Sequence, residues 1–147
     1  MINSVNHLSF TVADVTRSMV FYRDVLGLSL INLSERDQTF SEKATGIPGA
    51  RLHIAYLLAG NCSIELIQYL SPKGTRIDTS TQNIGSAHIC FNIANFDDFI
   101  LMLKKNKVQL TGEPQIVPAG PNKGRKAVYA KDPDSNNLEF ISIEKYL

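Results

Sequence analysis

An internal duplication constrains this chain more than any other feature. His7 stands early in VNHLSFTV and His88 early in SAHICFNI, while Glu65 stands in SIELIQYL and Glu139 in NNLEFISI. The two stretches read as copies, with a modest insertion lengthening the first. One supersecondary unit has been used twice, and residue types that recur at matching places in both copies suggest a site built from the pair. Four nitrogen and oxygen donors of this kind suit a divalent metal.

The elements follow the repeat. Residues 5–12 alternate, with His7, Ser9 and Thr11 on one face and Leu8, Phe10 and Val12 on the other, the period of a half-buried strand. Asp14 offers a helix N-cap. Val15, Met19, Tyr22 and Leu26 form an apolar helical stripe, and Gly27 stands where a left-handed C-terminal cap is wanted. Residues 28–33 predict a short strand, and residues 35–50 a long polar loop that is the insertion and a candidate lid. LHIAYLLA and CSIELIQY, joined by Gly60-Asn61, predict a hairpin. A two-residue turn there pairs Tyr56 with Glu65 and His53 with Gln68, so Tyr56 shares the face of Glu65 and His53 does not.

The second copy repeats the order. AHICFNI is a strand, and Phe96, Phe99, Ile100 and Leu103 form a helical stripe with Asp97 and Asp98 in its first turn and lysines at its end. Residues 107–117, 125–131 and 137–143 supply three further strands. The plan is βαβββ twice in one domain spanning 1–147, with a first module over about 4–70, a linker over 71–86 and a second module over about 87–147. If Leu8, Phe10, Ile89 and Phe91 cover the helices, then His7, Ser9, Thr11, His88, Cys90 and Asn92 line a cavity on the other side.

Bulk properties narrow the function classes. A chain of 147 residues, 44% hydrophobic, can bury a core, and fifteen Lys and Arg against fourteen Asp and Glu give no bulk attraction to nucleic acid. Cys62 and Cys90 show neither CxxC spacing nor the density of a disulfide framework, which points to a reducing compartment. No basic segment followed by an apolar run opens the chain, and no stretch approaches the roughly 20 apolar residues of a membrane span. The expectation is a soluble, cytoplasmic protein.

Three pieces carry a resemblance to a known family: the opening VNHLSFTVADVTRSMVFYRDVLGL, the second opening GSAHICFNI, and DPDSNNLEFI near the end. With the double βαβββ plan, they resemble the vicinal oxygen chelate superfamily, which includes glyoxalase I, methylmalonyl-CoA epimerase, extradiol dioxygenases, and fosfomycin and bleomycin resistance proteins. The resemblance implies an α+β fold whose tandem modules form a half-open mixed β-barrel around a metal site. It implies His7, Glu65, His88 and Glu139 as ligands of one divalent ion, whether nickel, cobalt, manganese, zinc or iron. It further implies a homodimer acting on a small-molecule substrate, with modules paired within a chain or across the dimer.

The activity so implied is that of a metal-dependent isomerase or lyase of the glyoxalase type. Such an enzyme moves a proton on an oxygen-chelating substrate through a metal-stabilised enediolate, with Glu139 or Glu65 as the base. Gly49 stands where methylmalonyl-CoA epimerases carry a catalytic glutamate, and Thr11 where bacterial-type glyoxalase I has an arginine for glutathione. Both substrates are therefore disfavoured. Glu65 argues against a ring-cleaving dioxygenase, which uses two histidines and one carboxylate. Two other classes stay in view: a small-molecule binding or resistance protein of the same fold, and a ring-cleaving dioxygenase, which fails if Glu65 is a ligand. Ser9, Thr11, Tyr56, Tyr69, Cys90 and Asn92 are candidates for the substrate pocket. Lys123 and Arg125, beside Lys126 and Lys131, could anchor an anionic group, their alternative being a solvated face. Taken alone, either histidine reads as a hydrogen-bonded strand residue, Cys90 as a small buried one, and the tyrosines as core aromatics. Glu65, in an apolar run, would be costly to bury without a cation or donor beside it.

Overall fold

A computed structural model of the chain describes residues 1–146. It divides into two compact units, Met1–Ile77 and Asp78–Leu147. In the first, β1 (His7–Thr11) leads into α1 (Val15–Val20). Asp14 caps this helix, its carboxylate accepting from the Arg17 backbone N–H. The apolar stripe is buried through Val15, Met19 and Tyr22, but its second half, Phe21–Val25, widens into a π-turn closed by the Leu26 N–H on the Phe21 carbonyl. Gly27, at φ 78°, then reverses the chain in a conformation that favours glycine.

β2 (Ser29–Arg36), β3 (Arg51–Ala59) and β4 (Cys62–Ser71) complete a four-stranded sheet in the order β1-β4-β3-β2. β1 runs parallel to β4 and the other pairs are antiparallel. Gly60-Asn61 makes the expected two-residue turn, and the register pairs Tyr56 with Glu65 and His53 with Gln68. The Gln68 side-chain oxygen accepts from the Val15 N–H at 3.0 Å, so Gln68 faces the helix and Glu65 the opposite side. Phe10 stacks on Tyr22 at 6.4 Å on the helix side.

The insertion is not the polar loop expected over 35–50. β2 continues to Arg36, and α2 (Gln38–Thr45) follows, N-capped by Asp37 onto the Phe40 N–H at 2.9 Å and ended by Gly46 in the left-handed region. α2 buries Ser41 and packs against β3, so the segment is a docked helix rather than a lid loop. Two turns that bury so little apolar surface leave no readable stripe.

The second unit holds β5 (His88–Ile93), α3 (Phe96–Lys105), β6 (Gln115–Ile116), β7 (Lys126–Lys131) and β8 (Asn137–Ser142), with sheet order β5-β8-β7-β6. The tandem βαβββ plan is therefore present, with α2 added to the first copy. The strand expected over 107–117 is reduced to two residues and an isolated bridge from Leu110 to Ala130. Gly112 and Pro114 interrupt it, since proline cannot donate to a ladder. Phe96, Ile100 and Leu103 bury the helical stripe, and Phe140 meets Phe99 and Phe91 at 4.9 and 5.7 Å on the helix side of the sheet. Each sheet is open, with β1 and β2 as the edges of one and β5 and β6 of the other. No helix among the described residues is long and apolar enough to cross a membrane.

Candidate functional site: two histidine–glutamate pairs

Each unit brings one histidine and one glutamate together on the sheet face turned away from α1 or α3. On the first sheet, Glu65 lies between Ser9 of β1 and Tyr56 of β3 in the ladder. On the second, Glu139 lies between Cys90 of β5 and Tyr129 of β7. The histidine sits two residues before the β1 or β5 neighbour and leans back over the carboxylate. His7 Nε2 stands 3.3 Å from Glu65 Oε2, and His88 Nε2 stands 3.1 Å from Glu139 Oε2.

The separations fit metal ligation. Two donors each about 2.1 Å from an ion and at right angles to one another stand about 3.0 Å apart. Each pair of this chemistry would supply two of the six ligands of an octahedral ion. Among the described residues, no group of three or more His, Cys, Asp or Glu side chains is assembled around a single point.

The surroundings of the two carboxylates differ. The Glu65 side chain is 8% exposed, and the Tyr56 hydroxyl donates to its Oε1, the oxygen turned away from His7. This is the donor that burial of Glu65 demanded. The Tyr56 hydroxyl is in turn pushed up to about 12, first by burial and then by Glu65. The Tyr56 ring also meets the His7 ring edge-on, 5.6 Å between centroids. His7 Nδ1 lies 2.7 Å from the Asn6 side-chain oxygen, so Nδ1 carries the proton and Nε2 is the nitrogen presented to Glu65.

The Glu139 side chain is 17% exposed. Tyr129 meets the His88 ring at 5.1 Å, as Tyr56 meets His7. Burial raises the Tyr129 hydroxyl first, and the charge of Glu139 raises it more than any hydrogen bond between them does. Cys90, exposed as a whole residue, has its thiol pushed up to about 12 by local burial and then by Glu139. It behaves as a protonated neighbour of the carboxylate, not as a thiolate nucleophile.

The other candidates fall into place by alternation. Ser9 and Thr11 continue the His7 face of β1, Tyr69 the Glu65 face of β4, and Asn92 the His88 face of β5. Lys123 is exposed in the turn before β7. Arg125 directly precedes β7, and its Nε is buried without a hydrogen-bond partner. The neighbouring lysines are already engaged. Lys126 binds Asp97 at 2.8 Å and covers the Tyr146 ring, and Lys131 donates to the Ser135 carbonyl and to the carbonyl and hydroxyl of Thr79. Neither is part of a free basic cluster.

Sequence reasoning missed Asn6 and Tyr129. Applying the hairpin register to the second copy would have found Tyr129, but the link between β7 and β8 is a five-residue turn, 132–136, instead of two residues. Asp132 builds that turn by accepting from the Asp134 and Asn136 N–H groups, both at 2.8 Å, and from the Asn136 amide at 2.9 Å.

Duplicated sheets carrying paired His and Glu define a class, and comparison with known proteins agrees with it. Residues 4–140 match the model of the glyoxalase/bleomycin resistance protein/dioxygenase superfamily, and the chain belongs to that superfamily. It is 32% identical to the metallothiol transferase FosB of Staphylococcus epidermidis, over 95% of this chain and 81% of that protein. It is 26% identical to the 2-epi-5-epi-valiolone epimerase of an Actinomyces species, over 95% of this chain and 79% of that one. Among solved structures, a glyoxalase family protein from Bacillus cereus shares the fold with a TM-score of 0.82 at 18% identity, covering 97% of this chain and 95% of that one.

Proposed function

We propose that this chain is a divalent-metal-dependent enzyme, an isomerase or lyase that moves a proton on a small substrate bearing adjacent oxygens. The observation that carries the reading is the repeated histidine–glutamate pair, with its nitrogen-to-oxygen separations of 3.3 and 3.1 Å. His7, Glu65, His88 and Glu139 are the proposed ligands, within one chain or across two. When bound, the ion supplies Lewis-acid polarisation of the substrate oxygens.

The side chains divide the remaining work. Glu139, more exposed than Glu65, is the carboxylate proposed to take the proton. Ser9, Thr11, Tyr69, Cys90 and Asn92 present short polar or aromatic groups on the same sheet faces, suited to orienting the substrate. The unpartnered Arg125 Nε, with Lys123 nearby in sequence, is suited to an anionic substituent. The similarity to an epimerase supports proton transfer at carbon as the reaction class.

The test is deuterium incorporation from D2O, followed by NMR, into a panel of α-hydroxyketones, hemithioacetals and 2-methylacyl thioesters. Metal-loaded protein should label one class, and Glu139→Gln should abolish the labelling. Tight binding without exchange, unchanged in Glu139→Gln, would make the protein a small-molecule binder.

A second reading, transfer of a thiol to a small electrophile, is favoured by the similarity to metallothiol transferases. It predicts thiol consumption in the presence of an epoxide and no carbon-bound deuterium.

A further inference from the structure

We propose that the two half-sites are unequal by construction. The first is a pre-organised anchor held from behind by Asn6 and Tyr56, and the second is an adaptable half. The proposal rests on the reading of His7 and Glu65 as metal ligands.

In the first unit both donors are fixed at the atom that does not face the partner. The Asn6 oxygen accepts a hydrogen bond from the His7 Nδ1–H, which sets the tautomer and aims the Nε2 lone pair. The Tyr56 hydroxyl takes Oε1 of Glu65, so only Oε2, the oxygen 3.3 Å from His7 Nε2, is free to bind a cation. The ladder holds Tyr56 directly opposite Glu65, and its ring edge against His7 completes a three-sided clamp. Partners of this kind orient ligands and set their affinity.

The second unit repeats the frame but lacks the partner behind its histidine. Ala87 replaces Asn6 and offers no side-chain oxygen to His88. Tyr129 occupies the ladder position of Tyr56, and its ring meets that of His88 at 5.1 Å. Cys90 replaces Ser9 beside the carboxylate. Glu139 is also about twice as exposed as Glu65. Asn6 and Tyr56 are therefore positioning residues for the anchor, and His88 and Glu139 are the ligands left free to shift.

Cobalt(II) is the probe, read by its visible absorption and by its release rate into excess EDTA, which require no substrate. Asn6→Ala and Tyr56→Phe should each release cobalt about 10- to 100-fold faster, with altered absorption bands. Tyr129→Phe should stay within about threefold of wild type. A purely structural role for Tyr56 would lower the melting temperature without moving the bands.

If Asn6→Ala and Tyr56→Phe hold cobalt as wild type does while Glu65→Gln loses it, the anchor is refuted and the ligand assignment stands. If Glu65→Gln also holds cobalt unchanged, the ligand assignment itself fails. Loosening by Tyr129→Phe equal to that of Tyr56→Phe would make the halves equivalent and overturn the proposal. Should Tyr56→Phe not fold, the wild type still decides. A slowly exchanging, downfield hydroxyl proton assigned to Tyr56 by NMR is expected, and its absence with and without cobalt would refute the clamp.

Discussion

Replacing Tyr56 with Phe in the metal-free protein should cost stability by an amount set by one hydrogen bond. The Glu65 side chain is 8% exposed and has two polar contacts, the Tyr56 hydroxyl and His7 Nε2. Deleting the hydroxyl leaves a buried carboxylate one donor short, and hydrogen bonds to charged groups contribute about 1.5–3 kcal/mol. For a chain of this size the loss lowers the melting temperature by roughly 4–8 °C. In a double-mutant cycle with Glu65→Leu, the coupling should be at least about 1 kcal/mol, because the hydroxyl matters only while the carboxylate is present.

The effect has a defined pH window. Tyr56 titrates near 12 in the folded protein and near 10 when unfolded, so the folded state retains a proton that the unfolded chain gives up. This contribution is fully present below pH 10 and is lost as pH rises from about 10 to about 12. Tyr56 is only partly enclosed, and solvent screening reduces the contribution to about 1 kcal/mol. Urea denaturation followed by circular dichroism in chelator, at neutral pH and across that window, measures both effects. Equal stability of Tyr56→Phe and wild type at neutral pH, or a coupling below about 0.5 kcal/mol, would refute the reasoning.

Three further outcomes follow from the geometry. The Cys90 thiol, held near 12 by burial and then by Glu139, should react far more slowly with a disulfide reagent at pH 8 than an unperturbed thiol does, and Glu139→Gln should speed it; reagent kinetics on Cys62→Ser protein isolates the site. Asp132→Ala removes the acceptor of three donors at the β7–β8 turn and should cost about 2–4 kcal/mol in urea titrations. Gln68→Leu leaves the Val15 N–H without its acceptor at the start of α1 and should cost about 1–2 kcal/mol, seen as earlier amide exchange across residues 15–20.

The framework was legible where residues speak through period and turn length. Alternation around His7 and His88, the Asp14 cap, Gly27 and the Gly60-Asn61 turn set the strands, the helix and the register that puts Tyr56 beside Glu65. Three features escaped because their causes are not periodic. The caps of α2, Asp37 and Gly46, enclose too little apolar surface to show a stripe. The strand expected over 107–117 is cut short by Gly112 and Pro114, single residues that break a ladder without a periodic signature. The roles of Lys126 and Lys131 depend on Asp97 and Thr79, which lie far away in sequence, so their charges looked available when they were already paired. At the site, the histidines and glutamates were visible through the repeat. The atoms behind them, on Asn6 and Tyr129, needed the folded ladder.

Metal content per chain tests the central claim most directly. Protein purified without an affinity tag or chelator should carry about one equivalent of a divalent ion by mass spectrometry. The His7→Ala, Glu139→Ala double variant, handled identically, should carry none. Absence of metal from the wild type, persisting after divalent ions are added back, would contradict the account and leave a metal-free binding protein in its place.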